Sequence, residues 1–305
     1  MKVGITGASG FLARHLIQGL RARGHDAVAF TRSPGKPVAG CVETRGLSAD
    51  QGPDVRGLDA VVNFAGESLL GPWTRARRQR IIASRVGTTT RLAEAMGRLR
   101  DGPQVLVSAS GVGIYGDRGD EVLDESKSPG SGFLSEVAKD WEAAARGAEK
   151  SGVRVARLRI GFVIGADGGA FPLLRRVFGL ALGGRLGSGR QWMSPVHVAD
   201  VAGLIVFLLE HESDGGPAAS GAFNGVCPEP VRNADFTRTL GTALHRPALL
   251  PVPTFLLHGL MRDQSRLLLD SQRAVPKKAL ALGYDFKFPT VAAMLADVCK
   301  SSESV

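Results

Sequence analysis

The residues best equipped for chemistry stand at the start of the chain. Thr6-Gly7-Ala8-Ser9-Gly10-Phe11-Leu12-Ala13 closes a short apolar run and opens an amphipathic one. Gly7 permits a sharp turn, Gly10 lets backbone approach a phosphate, and Ala13 is small enough for a helix to pack on the preceding strand. A helix beginning after Gly10 aims its unpaired N–H groups, around Ser9, Phe11 and Leu12, at a pyrophosphate. The pattern has the context it needs: a strand before it, a helix after it, and a βαβ repeat of about thirty residues. It predicts a dinucleotide site. The end of the next apolar run, Phe30-Thr31-Arg32-Ser33, bears on which dinucleotide. NAD binders usually place a carboxylate there for the ribose diol. Here Arg32 would attract a 2′-phosphate, with Thr31 and Ser33 as hydroxyl donors. Asp26, the nearby acid, sits at the wrong end of that run. NADP(H) is therefore expected over NAD(H).

These residues need elements to hold them. Apolar runs at Lys2–Thr6, Ala27–Thr31, Ala60–Ala65, Gln104–Ala109 and Arg154–Ile160 read as buried strands. Between and around them, Phe11–Arg23, Thr74–Met96, Phe133–Lys150 and Ala170–Ala181 read as helices. In the first, Leu12, Leu16, Ile17 and Leu20 recur at helical spacing. Such alternation predicts an α/β protein with a Rossmann-like, doubly wound parallel sheet. Beyond about residue 161 the pattern loosens into Gly-rich loops and prolines, which predicts a smaller C-terminal substrate lobe. The expected division is 1–235 for the nucleotide-binding domain, interleaved with the lobe from about residue 165, and 236–300 for an α-rich lobe.

Bulk properties narrow the class. The chain has 305 residues, 44% apolar and 22% charged, with a formal charge of +9. That charge favours anionic partners, a phosphorylated cofactor among them. No block of consecutive Lys or Arg resembles a nucleic-acid-binding tail. The densest basic stretch, Arg75, Arg77, Arg78 and Arg80, is either a solvated helix face or a face near phosphates. Three scattered cysteines argue against a disulfide framework or a metal site and fit a reducing compartment. A strand at residue 2 leaves no room for a signal peptide, and the longest apolar run, about Val201–Leu209, is too short to span a bilayer. A cytoplasmic protein with a small-molecule substrate, and no nucleic-acid or membrane partner, is expected.

Longer-range motifs then carry a resemblance. Asn63-Phe64-Ala65-Gly66, Ser108-Ala109-Ser110 leading to Tyr115-Gly116-Asp117, and His197-Val198-Ala199-Asp200-Val201-Ala202 join the first turn. Together they resemble the extended short-chain dehydrogenases/reductases, the group that includes nucleotide-sugar epimerases. Further matches narrow it: Trp73-Thr74 with Ser84-Arg85, Trp141-Glu142, Arg159–Ile164, Gly183–Gly189 with Gln191, Asn224–Val231, and Arg246-Pro247 with Pro251-Val252-Pro253. These are similar to the atypical "epimerase family" with an uncharacterised C-terminal domain. The resemblance implies that Phe64, Ala65 and Gly66 pass beside the adenosine and pyrophosphate, and that Arg85 lies close to the cofactor. It also implies that a helix around Trp73–Met96 could pair two copies.

The family's chemistry uses a Ser, a Tyr and a Lys spaced Tyr-x-x-x-Lys. Ser110 fits the Ser position, with Ser108 as the alternative. The dyad would fall at Leu134 and Ala138, neither of which can move a proton. Two repairs are open: Ser135 with Lys139, one step along the helix, or Tyr115 as proton donor. Gln191 and His197 are implied on the substrate side, His197 as an acid or base near neutrality or as a structural histidine. Asp200 is expected to cap the helix that begins there. The expected function is an NADP(H)-dependent oxidoreductase or epimerase on an unidentified carbonyl or sugar-nucleotide-like substrate. The alternative is a regulatory NADP(H)-binding protein that has lost the dyad.

Overall fold

A computed structural model describes residues 1–48, 52–211 and 219–303. The chain divides into two compact units, each assembled from three stretches. The first is Met1–Gly111, Glu136–Arg159 and Val201–Phe223; the second is Val112–Ser135, Ile160–Asp200 and Asn224–Val305. Residues 112–135 and 160–200 group with the C-terminal stretch.

The first unit is built on an eight-stranded sheet. Its strands are β1 (Lys2–Thr6), β2 (Asp26–Thr31), β3 (Glu43–Ser48), β4 (Gly52–Pro53), β5 (Ala60–Asn63), β6 (Val105–Gly111), β7 (Arg154–Ile160) and β8 (Gly221–Gly225). Their spatial order is β8-β7-β6-β5-β1-β2-β3-β4. β1 pairs in parallel with both β2 and β5, and β5 pairs in parallel with β6; β4 alone is seen to run antiparallel, to β3. The chain winds outward from β1 in one direction, then returns to build the other side from β5. This doubly wound sheet places its topological switch between β1 and β5, where such sheets bind ligands at their carboxyl ends.

Apolar strands covered on both faces account for the core. Val28, Phe30, Val61, Leu106 and Val155 pack with Leu92 and Met96 and with Ala145 and Ala148. Helix α1 (Phe11–Ala22) buries Ala13, Leu16, Ile17 and Leu20, the stripe its spacing predicts. The expected single helix over Thr74–Met96 is interrupted. It comprises α2 (Arg75–Ile82), a five-residue π turn at Ala83–Gly87, and α3 (Thr88–Gly97). The strand expected to reach Ala65 ends at Asn63, which frees Phe64–Gly66 to turn. Helix α4 (Phe133–Arg146) begins in the second unit's stretch and continues in the first's.

The second unit has short sheets and more helix. Phe162–Gly165 lies between Gly168–Gly169 and Pro195–His197; Trp192–Met193 pairs with Val231–Arg232, and Val122–Leu123 with Arg273–Ala274. Phe171, Phe178, Phe236, Leu240, Phe288, Met294 and Leu295 form its core. Among the described residues, no helix is long and apolar enough to cross a membrane.

One glycine in this unit is enforced by backbone. A Cβ on Gly161 would lie 2.0 Å from the Ser194 carbonyl oxygen and 2.8 Å from Val226 Cγ1. Gly161→Ala is expected to destabilise the protein by about 2 kcal/mol or more, since the obstacle is main chain and cannot swing away. Denaturant unfolding of the two proteins side by side checks this; an unchanged midpoint would contradict it.

Candidate functional site

The first unit's polar chemistry gathers at the carboxyl ends of β1, β5 and β6. Gly7 has φ +66°, and a side chain there would meet the Phe64 carbonyl oxygen at 3.0 Å. The Gly10 N–H closes the turn onto the Gly7 carbonyl at 2.9 Å. A Cβ on Gly10 would sit 3.0 Å from that same oxygen. α1 then begins with no side-chain cap and no acid in its first turn. Its N-terminal amides are thus free of a competing protein anion, a cradle that a phosphate fits. Ser9 and Gly10 are exposed, and Phe11 and Leu12 are half-buried beside them.

A buried amide sets the neighbouring turn. Thr6 Oγ1 donates to Asn63 Oδ1 at 2.6 Å and accepts the N–H groups of Phe64 and Ala65, each at 3.1 Å. Asn63 Nδ2 donates to Thr89 Oγ1 at 2.7 Å and to Ser108 Oγ at 3.1 Å. Trp141 Nε1 also donates to Thr89 Oγ1. Ser108 therefore belongs to this brace. The motif at Asn63 was legible in the sequence; its partners Thr6, Thr89 and Trp141, far apart in the chain, were not.

Arg85 lies in the π turn, a feature that recurs at functional positions. Its Nη1 donates to the carbonyls of Glu67 at 3.0 Å and Ile81 at 3.3 Å. Its guanidinium carbon lies 5.2 Å from the Trp141 ring centre and only 3.0 Å from where a Cβ on Gly66 would be. Burial lowers its pKa to about 10, opposed by Glu67, so it stays charged at neutral pH. The basic helix α2 serves the same loop. Arg77 donates to the carbonyls of Ser68 and Leu70, and Arg80 donates to the Glu67 carboxylate at 3.1 Å. Ser84 Oγ accepts the Glu67 N–H.

At the end of β2, Arg32 and Ser33 are exposed and Thr31 is half-buried. The Ser33 N–H donates to Thr31 Oγ1 at 3.1 Å. No ion pair engages Arg32 among the described residues. Asp26 begins the same strand, at its far end.

Ser110, near the end of β6, is buried and donates to Glu142 Oε1 at 3.0 Å. Arg159 grips that carboxylate with Nε at 2.7 Å and Nη2 at 3.0 Å, and Arg157 Nη1 stands 3.5 Å away. Burial lowers the Arg157 pKa while Glu142 opposes the shift. Arg157 and Arg159 alternate along β7 and so share one face of the sheet. Two arginines at alternate positions of one buried strand are the signal by which this cluster could have been found. Ala138 is buried on α4 and Lys139 is exposed there.

The second unit's candidates are tied into its own frame. Tyr115 is fully buried, with its hydroxyl 2.8 Å from Asn224 Oδ1 and 3.2 Å from the Asp124 carbonyl. Ser135 donates to the carbonyls of Ile114 and Gly130, and Leu134 packs against Gly113. Gln191 Nε2 donates to the carbonyls of Leu186 and Leu268. His197 Nδ1 accepts the Ala199 N–H at 3.2 Å, and its buried Nε2 stands 3.3 Å from the Asp297 carboxylate. Its ring stacks on Phe288 at 4.0 Å. Asp200 accepts the N–H groups of Lys287 and Phe288 at 2.7 and 3.0 Å, fastening a distant loop, whereas a cap for its own helix was expected. Burial raises its pKa.

Residues 3–224 match the model of the NAD dependent epimerase/dehydratase family, and residues 252–298 match a domain of unknown function, DUF1731. The chain is 38% identical to the chloroplastic SDR39U1 homolog of the epimerase family from Arabidopsis thaliana, covering 95% of this chain and 84% of that one. It is 32% identical to the epimerase family protein YfhF of Bacillus subtilis over the whole of both chains. A crystal structure of human epimerase family protein SDR39U1 with NADPH superposes with a TM-score of 0.89, at 33% identity, covering 98% of this chain and 99% of that one.

The Ser110 cluster makes a stability prediction. Glu142→Ala would leave two buried guanidiniums without their carboxylate, a loss of about 3–5 kcal/mol. Ser110→Ala removes one hydrogen bond to that carboxylate and is expected to cost about 1.5–3 kcal/mol. Chemical denaturation of both variants measures the gap; equal losses would contradict the assigned geometry.

Proposed function

The chain belongs to the NAD dependent epimerase/dehydratase family, and from that premise we propose that it binds NADP(H) and exchanges hydride with a small hydroxyl- or carbonyl-bearing substrate, as an oxidoreductase or epimerase. The observation that carries the proposal is the pairing of an uncapped α1 N-terminus with an exposed Arg32 outside any ion pair at the end of β2. The amides around Ser9, Gly10, Phe11 and Leu12 would take the pyrophosphate. Thr31, Arg32 and Ser33 would take the 2′-phosphate, and Phe64, Ala65 and Gly66 would border the adenosine. Arg85 would hold the Gly66–Glu67 backbone in register beneath it. That the human relative was crystallised with NADPH supports the choice of dinucleotide.

When bound, the dinucleotide supplies the hydride. The protein's part is orientation and proton handling. Ser110 stands at the carboxyl end of β6, on the same side of the sheet's strand ends as the Gly7–Gly10 turn. Its proton already points at Glu142. Its oxygen keeps lone pairs that would accept from a substrate hydroxyl. Arg159 holds the other side of that carboxylate and so fixes the position of the Ser110 hydroxyl.

A second reading is a non-catalytic NADP(H)-binding regulator. It is favoured by Leu134 and Ala138 at the dyad positions and by the internal hydrogen bonds of Tyr115 and His197.

Titration of the purified protein with NADPH and NADH, repeated on Arg32→Ala, tests the binding. NADPH is expected to bind more tightly, and Arg32→Ala to weaken it at least about tenfold, about 1.4 kcal/mol, while NADH changes little. No binding of either cofactor would end the proposal. Turnover with a carbonyl and alcohol panel that Ser110→Ala abolishes without loss of NADPH binding would decide for the enzyme over the regulator.

A further inference from the structure

Three arginines and a histidine converge on one concavity of the second unit. This open concavity has a volume of about 760 Å3 and is lined in part by Arg185, Arg238, Arg246 and His245, with no carboxylate among its lining residues. Arg238 is paired with Asp235 one turn away on its helix. Arg185 and Arg246 have no ion pair among the described residues. Two cations held at one cavity without a counter-charge repel each other, so the fold gains nothing from their juxtaposition until an anion enters.

Their placement is built by main chain. The loop carrying Arg185 is zipped along residues 250–252: Leu250 N–H to Gly183 O at 3.1 Å, Val252 N–H to Arg185 O at 2.9 Å, and Gly187 N–H to Val252 O at 2.8 Å. A Cβ on Gly184 would fall 1.8 Å from the Leu250 carbonyl oxygen, so only glycine allows that approach. Arg246 is set by its N–H to the Gly241 carbonyl at 2.9 Å, after His245 turns the chain at φ +51°. A Cβ on Gly241 would close to 2.8 Å of the Arg246 carbonyl oxygen. Both arginines thus leave rigid, glycine-dependent turns that converge on the same space.

The rest of the lining sets Thr237 and Thr242 beside an apolar stretch. Pro247, Ala248 and Leu249 form part of it, and Leu249 is 79% exposed. The volume is that of a small-molecule site. Guanidinium forks match phosphate oxygens in pairs, and two of them balance a dianion where a carboxylate would leave one uncompensated. From this geometry we propose that the second unit carries a binding site for an organic phosphate with an apolar body, held by Arg185 and Arg246. The site uses no residue of the Gly7–Gly10 turn and does not depend on the NADP(H) reading.

The test is calorimetric titration of the full chain with 1-naphthyl phosphate, with inorganic phosphate as the comparison. Naphthyl phosphate is expected to bind more tightly than inorganic phosphate and to weaken as NaCl rises. The Arg185→Ala/Arg246→Ala double variant is expected to lose at least about tenfold in affinity, with its unfolding midpoint unchanged because both side chains are exposed. Arg32→Ala is expected to bind as the unaltered protein does. Equal affinity of the unaltered protein and the double variant would overturn the proposal. So would loss of binding in Arg32→Ala alone, which would put the probe at the nucleotide turn.

Discussion

The first unit's ligand-facing edge depends on one buried carboxamide. Asn63 is fully buried at the end of β5, and both halves of its amide are satisfied. A donor or acceptor left unpaired there would carry the full desolvation penalty, so its partners are constrained as tightly as it is. Through Thr6 the amide fixes the end of β1, through Ser108 the end of β6, and through Thr89 the start of α3. The Phe64–Gly66 turn hangs from the same oxygens. The Phe64 carbonyl can lie against the first turn only because Gly7 has no side chain to collide with it, and Arg85 packs only because Gly66 has none. The geometry that would receive a dinucleotide is therefore a consequence of hydrogen-bond satisfaction three strands wide.

Arginine carries much of the remaining order, which changes what the net charge means. Arg77, Arg80 and Arg85 hold the loop from Gly66 to Leu70, and Arg157 and Arg159 hold Glu142. These cations answer carbonyls and carboxylates inside the first unit. The +9 of the sequence is therefore a poor guide to partners, and position decides. Arg32, Arg185 and Arg246 matter because nothing in their own unit is seen to neutralise them.

What was legible in the sequence was local. The β1–α1 turn announces itself by glycine positions within eight residues, and the inward stripe of α1 by its period. Arg32 could be weighed because the test is the sign of one side chain at one strand end. The π turn was not legible: Thr74–Met96 is continuous in helical period, and a single extra residue per turn leaves no compositional mark. The grouping of residues 112–135 with the C-terminal stretch was hidden for a different reason. It rests on pairings such as Val122–Leu123 with Arg273–Ala274, some 150 positions apart, which no window can see. Asp200 reads as a helix cap because that is its local chance; its partners Lys287 and Phe288 lie far downstream.

The departure from Tyr-x-x-x-Lys takes on physical sense beside the Ser110 cluster. In that dyad a lysine lowers the pKa of a phenol so that it can lose a proton. Here α4 offers a leucine and an alanine at those positions, and one turn further along it supplies Glu142 instead. A carboxylate gripped by Arg159 and flanked by Arg157 is held in one place by charge-assisted hydrogen bonds. It accepts the Ser110 hydrogen bond and so orients that hydroxyl. The arrangement trades proton transfer for orientation. What the geometry leaves at the carboxyl end of β6 is a positioned hydroxyl rather than a proton-transferring pair.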